Sequence, residues 1–259
     1  MSFKEITISH ADVSATIAPD RGALVSGLVV RNKNVLFLDR ATFEDPTKNV
    51  RGGIPVLFPF AGKLVDETLA VSKTKMKQHG FGRNKAWTVS ERTKHMLRVK
   101  LGPDTDTRTQ FPYEFVAELT FLILPNGLQI ELLISNDSAK PLPVSPGWHP
   151  YFCCPGPLKG SVKGFLPNFT PDKIGNDREF DFGLPAPKIG RARFVIPELG
   201  DLQLSFSPEM RHMQFWSQPG KDFICLEPFF GPNNTINTDI RAEIQPGACG
   251  LFWMRMEIE

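Results

Sequence analysis

The sequence predicts an all-β protein whose sheets bury their faces against one another as a sandwich or a barrel. Three observations carry this. Apolar residues recur with period two over long runs, stretches with the 3.6-residue period of an amphipathic helix are missing, and 23 prolines and 21 glycines are spread over many turns rather than gathered in a linker. At 259 residues, with no internal repeat or low-complexity block, the chain reads as one β domain over 1–259.

In chain order, strand signals fall first at 3–8, 13–18, 22–30 and 86–100. The strongest follow. YEFVAELTFLIL (113–124) puts Tyr113, Phe115, Ala117, Leu119, Phe121 and Ile123 on one face, and LQIELLIS from Leu128 repeats the pattern with Ile130, Leu132 and Ile134. The intervening PNG reads as a hairpin turn in which Asn126 and Gly127 tolerate positive φ. Further strands are expected at 201–206, 212–217, 223–227 and 239–247. The C-terminal GLFWMRMEIE alternates again through Phe252, Met254, Met256 and Ile258.

Charge and cysteine usage narrow the function classes. Thirty basic against 28 acidic residues leave a net charge of +2, no footprint for nucleic acid or an anionic membrane. The N-terminal MSFKEITISH lacks the apolar core of a signal peptide and no apolar run reaches membrane-spanning length, so a soluble, cytoplasmic protein is expected. Cys153 and Cys154 are adjacent. Cys225 and Cys249 stand alone in apolar surroundings and read as small buried hydrophobes; zinc-type spacing is missing.

Among the five histidines, His10 and His95 lie in surface-like contexts and His212 opens a strand. His149 sits in SPGWHPYFCCPG, where Pro146 and Pro150 restrict the backbone and Trp148, Tyr151 and Phe152 supply flat surfaces. It can be a packed loop histidine or a rigidly aimed group. His79 lies in KQHGFGRN, whose Gly80 and Gly82 let the backbone, His79 and Arg83 approach a ligand closely. Arg51, ahead of Gly52-Gly53-Ile54-Pro55, offers a planar fork of donors at a tight bend, or is a surface arginine. Glu227 closes the apolar run DFICLEP at the end of a strand. Burial there raises a carboxyl pKa toward the range of a general base, the competing reading being a salt bridge to an arginine. With aromatic residues such as Trp148 and Trp216 between them, His79, His149 and Glu227 suit the lining of a sugar pocket.

These residues resemble the aldose 1-epimerase (mutarotase) family. The likeness rests on Arg51-Gly52-Gly53-Ile54-Pro55, Gln78-His79-Gly80-Phe81-Gly82-Arg83, Trp148-His149-Pro150-Tyr151-Phe152 and Leu226-Glu227-Pro228, in the family's order. They look closest to the hexose-6-phosphate branch, while PFFGPNNTIN after Glu227 is more similar to general bacterial mutarotases. The resemblance implies a large antiparallel β-sandwich of the galactose mutarotase-like type and cofactor-free interconversion of α and β anomers, without metal. Carried over, Glu227 takes the proton of the C1 hydroxyl, His149 protonates the ring oxygen, and His79 hydrogen-bonds near that oxygen. It also implies a depressed Glu227 and a near-neutral His149. Arg51, Gln78 and Arg83 would contact a sugar or sugar phosphate. Asp181 would bind sugar hydroxyls, with Asp172, Asp177 and Glu179 as neighbouring alternatives. A non-catalytic sugar-binding module is a rival reading. A metal site built from His79, His149 and Glu227 is another, weakened by the lack of H-x-H spacing.

Overall fold

The computed structural model describes residues 3–170 and 173–259. Its ladders are antiparallel and form three main sheets. An N-terminal sheet of four strands runs through Ile6–His10, Val13–Ala18, Leu24–Val30 and Lys33–Asn34. An eight-stranded sheet carries the long hairpin Phe115–Leu124 and Gly127–Asn136, flanked by Met96–Leu101 on one side and Cys249–Ile258 on the other. A six-stranded sheet is built from Val56–Leu57, Gly147–Trp148, Tyr151–Cys153, Phe180–Pro185, His212–Ser217 and Phe223–Phe229. Inner-face residues of all three merge into one apolar core, with Phe194 of the eight-stranded sheet meeting Phe215 of the six-stranded one at 6.0 Å between ring centroids. The expected all-β sandwich is what the chain forms.

Alternation placed the long strands well because each has one buried face. Leu128, Ile130, Leu132 and Ile134 are at most 1% exposed, and Phe252, Met254, Met256 and Ile258 are buried in register beside them. The hairpin turn differs from expectation. Leu124 pairs with Gly127, so Pro125-Asn126 is the two-residue loop, and neither Asn126 nor Gly127 takes positive φ. Gly127 is needed for room instead: a Cβ there would lie 1.8 Å from the Met256 carbonyl oxygen of the adjoining strand.

Other expectations shift. The 86–100 run divides into Thr88–Arg92 and Met96–Leu101, and 239–247 shrinks to Ala242–Ile244. Cys249 is exposed, because on its strand the odd-numbered positions face outward; Cys225 is buried. Trp148 is 1% exposed and belongs to the core, not to the lining of a cleft. Among the described residues no helix is long and apolar enough to cross a membrane.

Candidate active site

All seven residues singled out in the sequence as site candidates, Arg51, Gln78, His79, Arg83, His149, Asp181 and Glu227, line one cleft of ≈ 200 Å³. Glu227 does not end its strand. It sits inside Phe223–Phe229, buried at every position, where Ile224 and Leu226 enter the sandwich core while Phe223 and Cys225 join Tyr151 and Trp216 on the other face. Alternation therefore sends Glu227 to the cleft side.

His149 occupies the short break between Gly147–Trp148 and Tyr151–Cys153, two strand fragments that both pair with Phe223–Phe229. Its ring stacks on Tyr151 at 4.7 Å and 17°, and meets the edges of Trp216 at 5.7 Å and His79 at 5.6 Å. Held on these sides, its Nε2 lies 3.4 Å from Glu227 Oε2. Neither His149 Nδ1 nor Glu227 Oε1 has a hydrogen-bond partner among the described residues.

Burial sets the protonation of this pair. Loss of solvent lifts Glu227 well above the usual carboxyl value, with the Asp181 charge adding to the rise and the Arg83 guanidinium opposing it. Desolvation, reinforced by Arg83, lowers His149 to about 3. Both groups are thus favoured neutral, with the single proton of the pair on the carboxyl. The depressed Glu227 implied by the family resemblance is corrected by this; the rise expected from an apolar strand is what occurs. The salt-bridge reading of Glu227 fails too, since among the described residues no arginine pairs with it.

His79 is fixed in one tautomer. The Gly62 N–H donates to His79 Nδ1 at 2.9 Å, and the His79 N–H donates back to the Gly62 carbonyl at 2.9 Å. With Nδ1 accepting, the proton of the neutral ring is on Nε2. Burial and then the nearby Arg83 push its pKa well below the ordinary value, so the ring stays a neutral donor. Gly80 is required by the packing here: at φ 66°, its Cβ would lie 2.3 Å from the Phe58 carbonyl oxygen. The glycines bring the His79 loop against residue 58.

The polar wall has a positive and a negative part. Arg83 donates through Nη2 to the Gln78 carbonyl at 3.0 Å, while its buried Nε has no partner among the described residues. Desolvation brings this guanidinium down to about 10. Arg51 lies over the Trp216 ring at 5.2 Å. Asp181 accepts from Gln214 Nε2, and Gln214 Oε1 in turn accepts from His212 Nε2 at 2.8 Å. Trp216 Nε1 donates to Glu179 Oε1 at 2.7 Å. Asp172 lies outside the described residues; Glu179 lines the cleft together with Asp181.

Sequence reading missed Gln214, Lys63 and Asn233, which also line the cleft. For Gln214 the only signal the sequence offered was its spacing, two residues before Trp216 on one strand and hence on the same face; that it pairs directly across from Glu227 shows only in the structure. Lys63 and Asn233 come from loops and had none.

Fold and cleft together place the chain in the class of galactose mutarotase-like β-sandwiches. The Slr1438 protein from Synechocystis sp. PCC 6803 is 29% identical and superimposes with a TM-score of 0.88 over 99% of this chain and 96% of its own. A galactose mutarotase-like protein from Lactobacillus casei ATCC 334, at 22% identity, has the same fold with a TM-score of 0.79, covering 99% of this chain and 100% of its own. The sequence profile described as Aldose 1-epimerase matches residues 4–166, and the chain belongs to that family. A protein of Escherichia coli K12 named "Putative glucose-6-phosphate 1-epimerase" is 28% identical over 181 residues, 67% of this chain and 56% of the relative. The chain thus matches little more than half the length of that relative.

Proposed function

We propose that the protein is an aldose 1-epimerase that interconverts the α and β anomers of a hexose or hexose 6-phosphate, using Glu227 and His149 as the acid–base pair. The observation that carries this reading is the 3.4 Å contact between His149 Nε2 and Glu227 Oε2 in a buried corner of the cleft. The reactive form is the other arrangement of the same single proton: carboxylate on Glu227, imidazolium on His149. Glu227 then takes the proton from the C1 hydroxyl as His149 delivers one to the ring oxygen. The C1–O5 bond breaks with its electrons on O5, and a C1 aldehyde forms. This step leaves both side chains neutral, the state that burial favours. Rotation about C1–C2 and the reverse transfers close the ring on the opposite face. The neutral His79 Nε2–H is the donor for the oxygen on which charge develops.

A phosphorylated substrate is supported by Arg51, Lys63 and Arg83. All three line the cleft, and none forms an ion pair with a carboxylate among the described residues. A phosphate dianion would receive charge-assisted hydrogen bonds from them. The test is anomer exchange followed by NMR or polarimetry with glucose, galactose and their 6-phosphates. Acceleration over buffer is expected, strongest for a 6-phosphate. Saturable binding without exchange of any of the four would refute catalysis and leave a sugar-binding module.

A further inference from the structure

Behind the acid–base pair lies a third donor that the reaction does not use. Cys225 is fully buried, and two residues along the strand from Glu227 it faces the same side, among Tyr151, Trp216 and Phe223. One donor atom each from His149, Cys225 and Glu227 lies within 4.8 Å of the others, and the imidazole and carboxyl atoms are already 3.4 Å apart. Tetrahedral zinc, with bonds of about 2.0–2.3 Å, spaces its donors about 3.3–3.8 Å apart, so small side-chain shifts close the set.

We propose that His149, Cys225 and Glu227 form a binding site for one thiophilic divalent cation of the Zn²⁺ type, and that its occupation blocks the acid–base pair. A sulfur, a nitrogen and an oxygen donor make the mixed set that zinc accepts and that Mg²⁺ and Ca²⁺ do not. Thiolate and carboxylate together neutralise the 2+ charge in this dry corner. Burial pushes both groups up, so the ion competes with protons for the site. The nearby Arg51 and Arg83 oppose a cation held by charge alone, which leaves the metal–sulfur bond to decide selectivity. His149 and Glu227 line the cleft, so the fourth position opens to water there. A bound ion occupies the lone pairs that accept and deliver the substrate's protons. Blocking rests on the proposed epimerase reading; binding does not.

Titration of the intact protein with Co²⁺ tests the site by the near-ultraviolet thiolate-to-cobalt charge-transfer band. One equivalent of ion should develop the band in wild type and in Cys249→Ser, and none should appear in Cys225→Ser or Cys225→Ala. Zn²⁺ affinity, measured by calorimetry, should fall at least ~100-fold in the Cys225 variants. In wild type it should rise with pH, because the ion competes with protons for its ligands. Zn²⁺ should inhibit anomer exchange in wild type, reversibly with chelator, while the Cys225 variants keep basal exchange and resist it. A wild-type titration without the band, or a band that survives loss of Cys225, overturns the site. Absence of exchange with every sugar would sink the epimerase reading, and the cobalt titration would still decide the metal site.

Discussion

Glu227→Gln separates catalysis from stability, because its two effects have opposite signs. The substitution keeps the shape of a side chain that is 1% exposed and removes its capacity to accept a proton. General-base catalysis contributes about 10²–10⁴-fold. At 1.36 kcal/mol per tenfold, turnover should therefore fall by roughly 3–5 kcal/mol in activation free energy. Stability moves the other way. The folded state holds the Glu227 proton well above the ordinary 4.5 at which the unfolded chain releases it. The native state thus binds more protons than the unfolded one across that window. Wild-type stability drops as pH rises through it, by up to about 1.4 kcal/mol per unit. The amide of the variant has no such titration. Near pH 5 the variant gains nothing, since one amide hydrogen can reach His149 Nε2 while the other lacks a partner, a cost of about 1–3 kcal/mol. As pH rises above about 4.5, where the carboxyl ionises in the unfolded chain but not in the folded one, the variant should become progressively more stable relative to wild type. Urea unfolding of both proteins at several pH values, beside an NMR exchange assay, measures the two effects on the same samples. A stability difference that stays flat with pH would refute the buried neutral carboxyl. Wild-type exchange rates in the variant would remove Glu227 from the mechanism.

His149→Asn should lower turnover comparably, and the Glu227→Gln/His149→Asn double variant should lose far less than the product of the single losses, because the pair acts as a unit; multiplicative losses in the exchange assay would assign the residues to separate steps. With His149 at about 3 in the folded state against 6.5, wild type should lose on the order of 4 kcal/mol of stability as pH falls from 6.5 toward 3. His149→Asn should flatten that acid limb in unfolding titrations. Arg83→Ala should raise KM for a hexose 6-phosphate about tenfold or more, the scale of one hydrogen bond to a charged group, and change KM for the free hexose little. Equal changes for both sugars would end the phosphate assignment. His212→Phe frees the Gln214 amide that donates to Asp181, and steady-state kinetics should show KM up by about fivefold, the worth of ~1 kcal/mol, with kcat largely kept. Dialysis against a chelator should leave exchange undiminished; activity lost and restored by added metal would establish a metal-dependent reaction.

What the sequence made legible follows from where one face of a strand is wet. Phe115–Leu124 and Gly127–Asn136 alternate because their outer residues meet solvent, and their limits could be read within two residues. Gly147–Trp148 and Tyr151–Cys153 are two and three residues long and almost wholly buried, so they carry no alternation and read as loop. Phe180–Pro185 was hidden by its glycine and proline. The same contrast runs through the cleft. A glutamate in an apolar run and a histidine between prolines stand out against their neighbours, and both line the site. Gln214 does not stand out, because its place is fixed by pairing with Glu227 from the neighbouring strand and by a hydrogen-bond chain reaching back to Asp181. Protonation shows where reading residues and reading resemblance diverge. An apolar strand implies a carboxyl held neutral; likeness to a family implies one that is ionised. Burial from every side favours the first at rest. On the proposed mechanism the second is the reactive arrangement of the same proton, reached by moving it across 3.4 Å to His149. A site that rests with both groups neutral and reacts through the charged arrangement needs a ligand to favour the latter. The Arg83 guanidinium pulls Glu227 toward the carboxylate but also disfavours an imidazolium on His149, so on the proposed mechanism the donors of a bound sugar supply that bias.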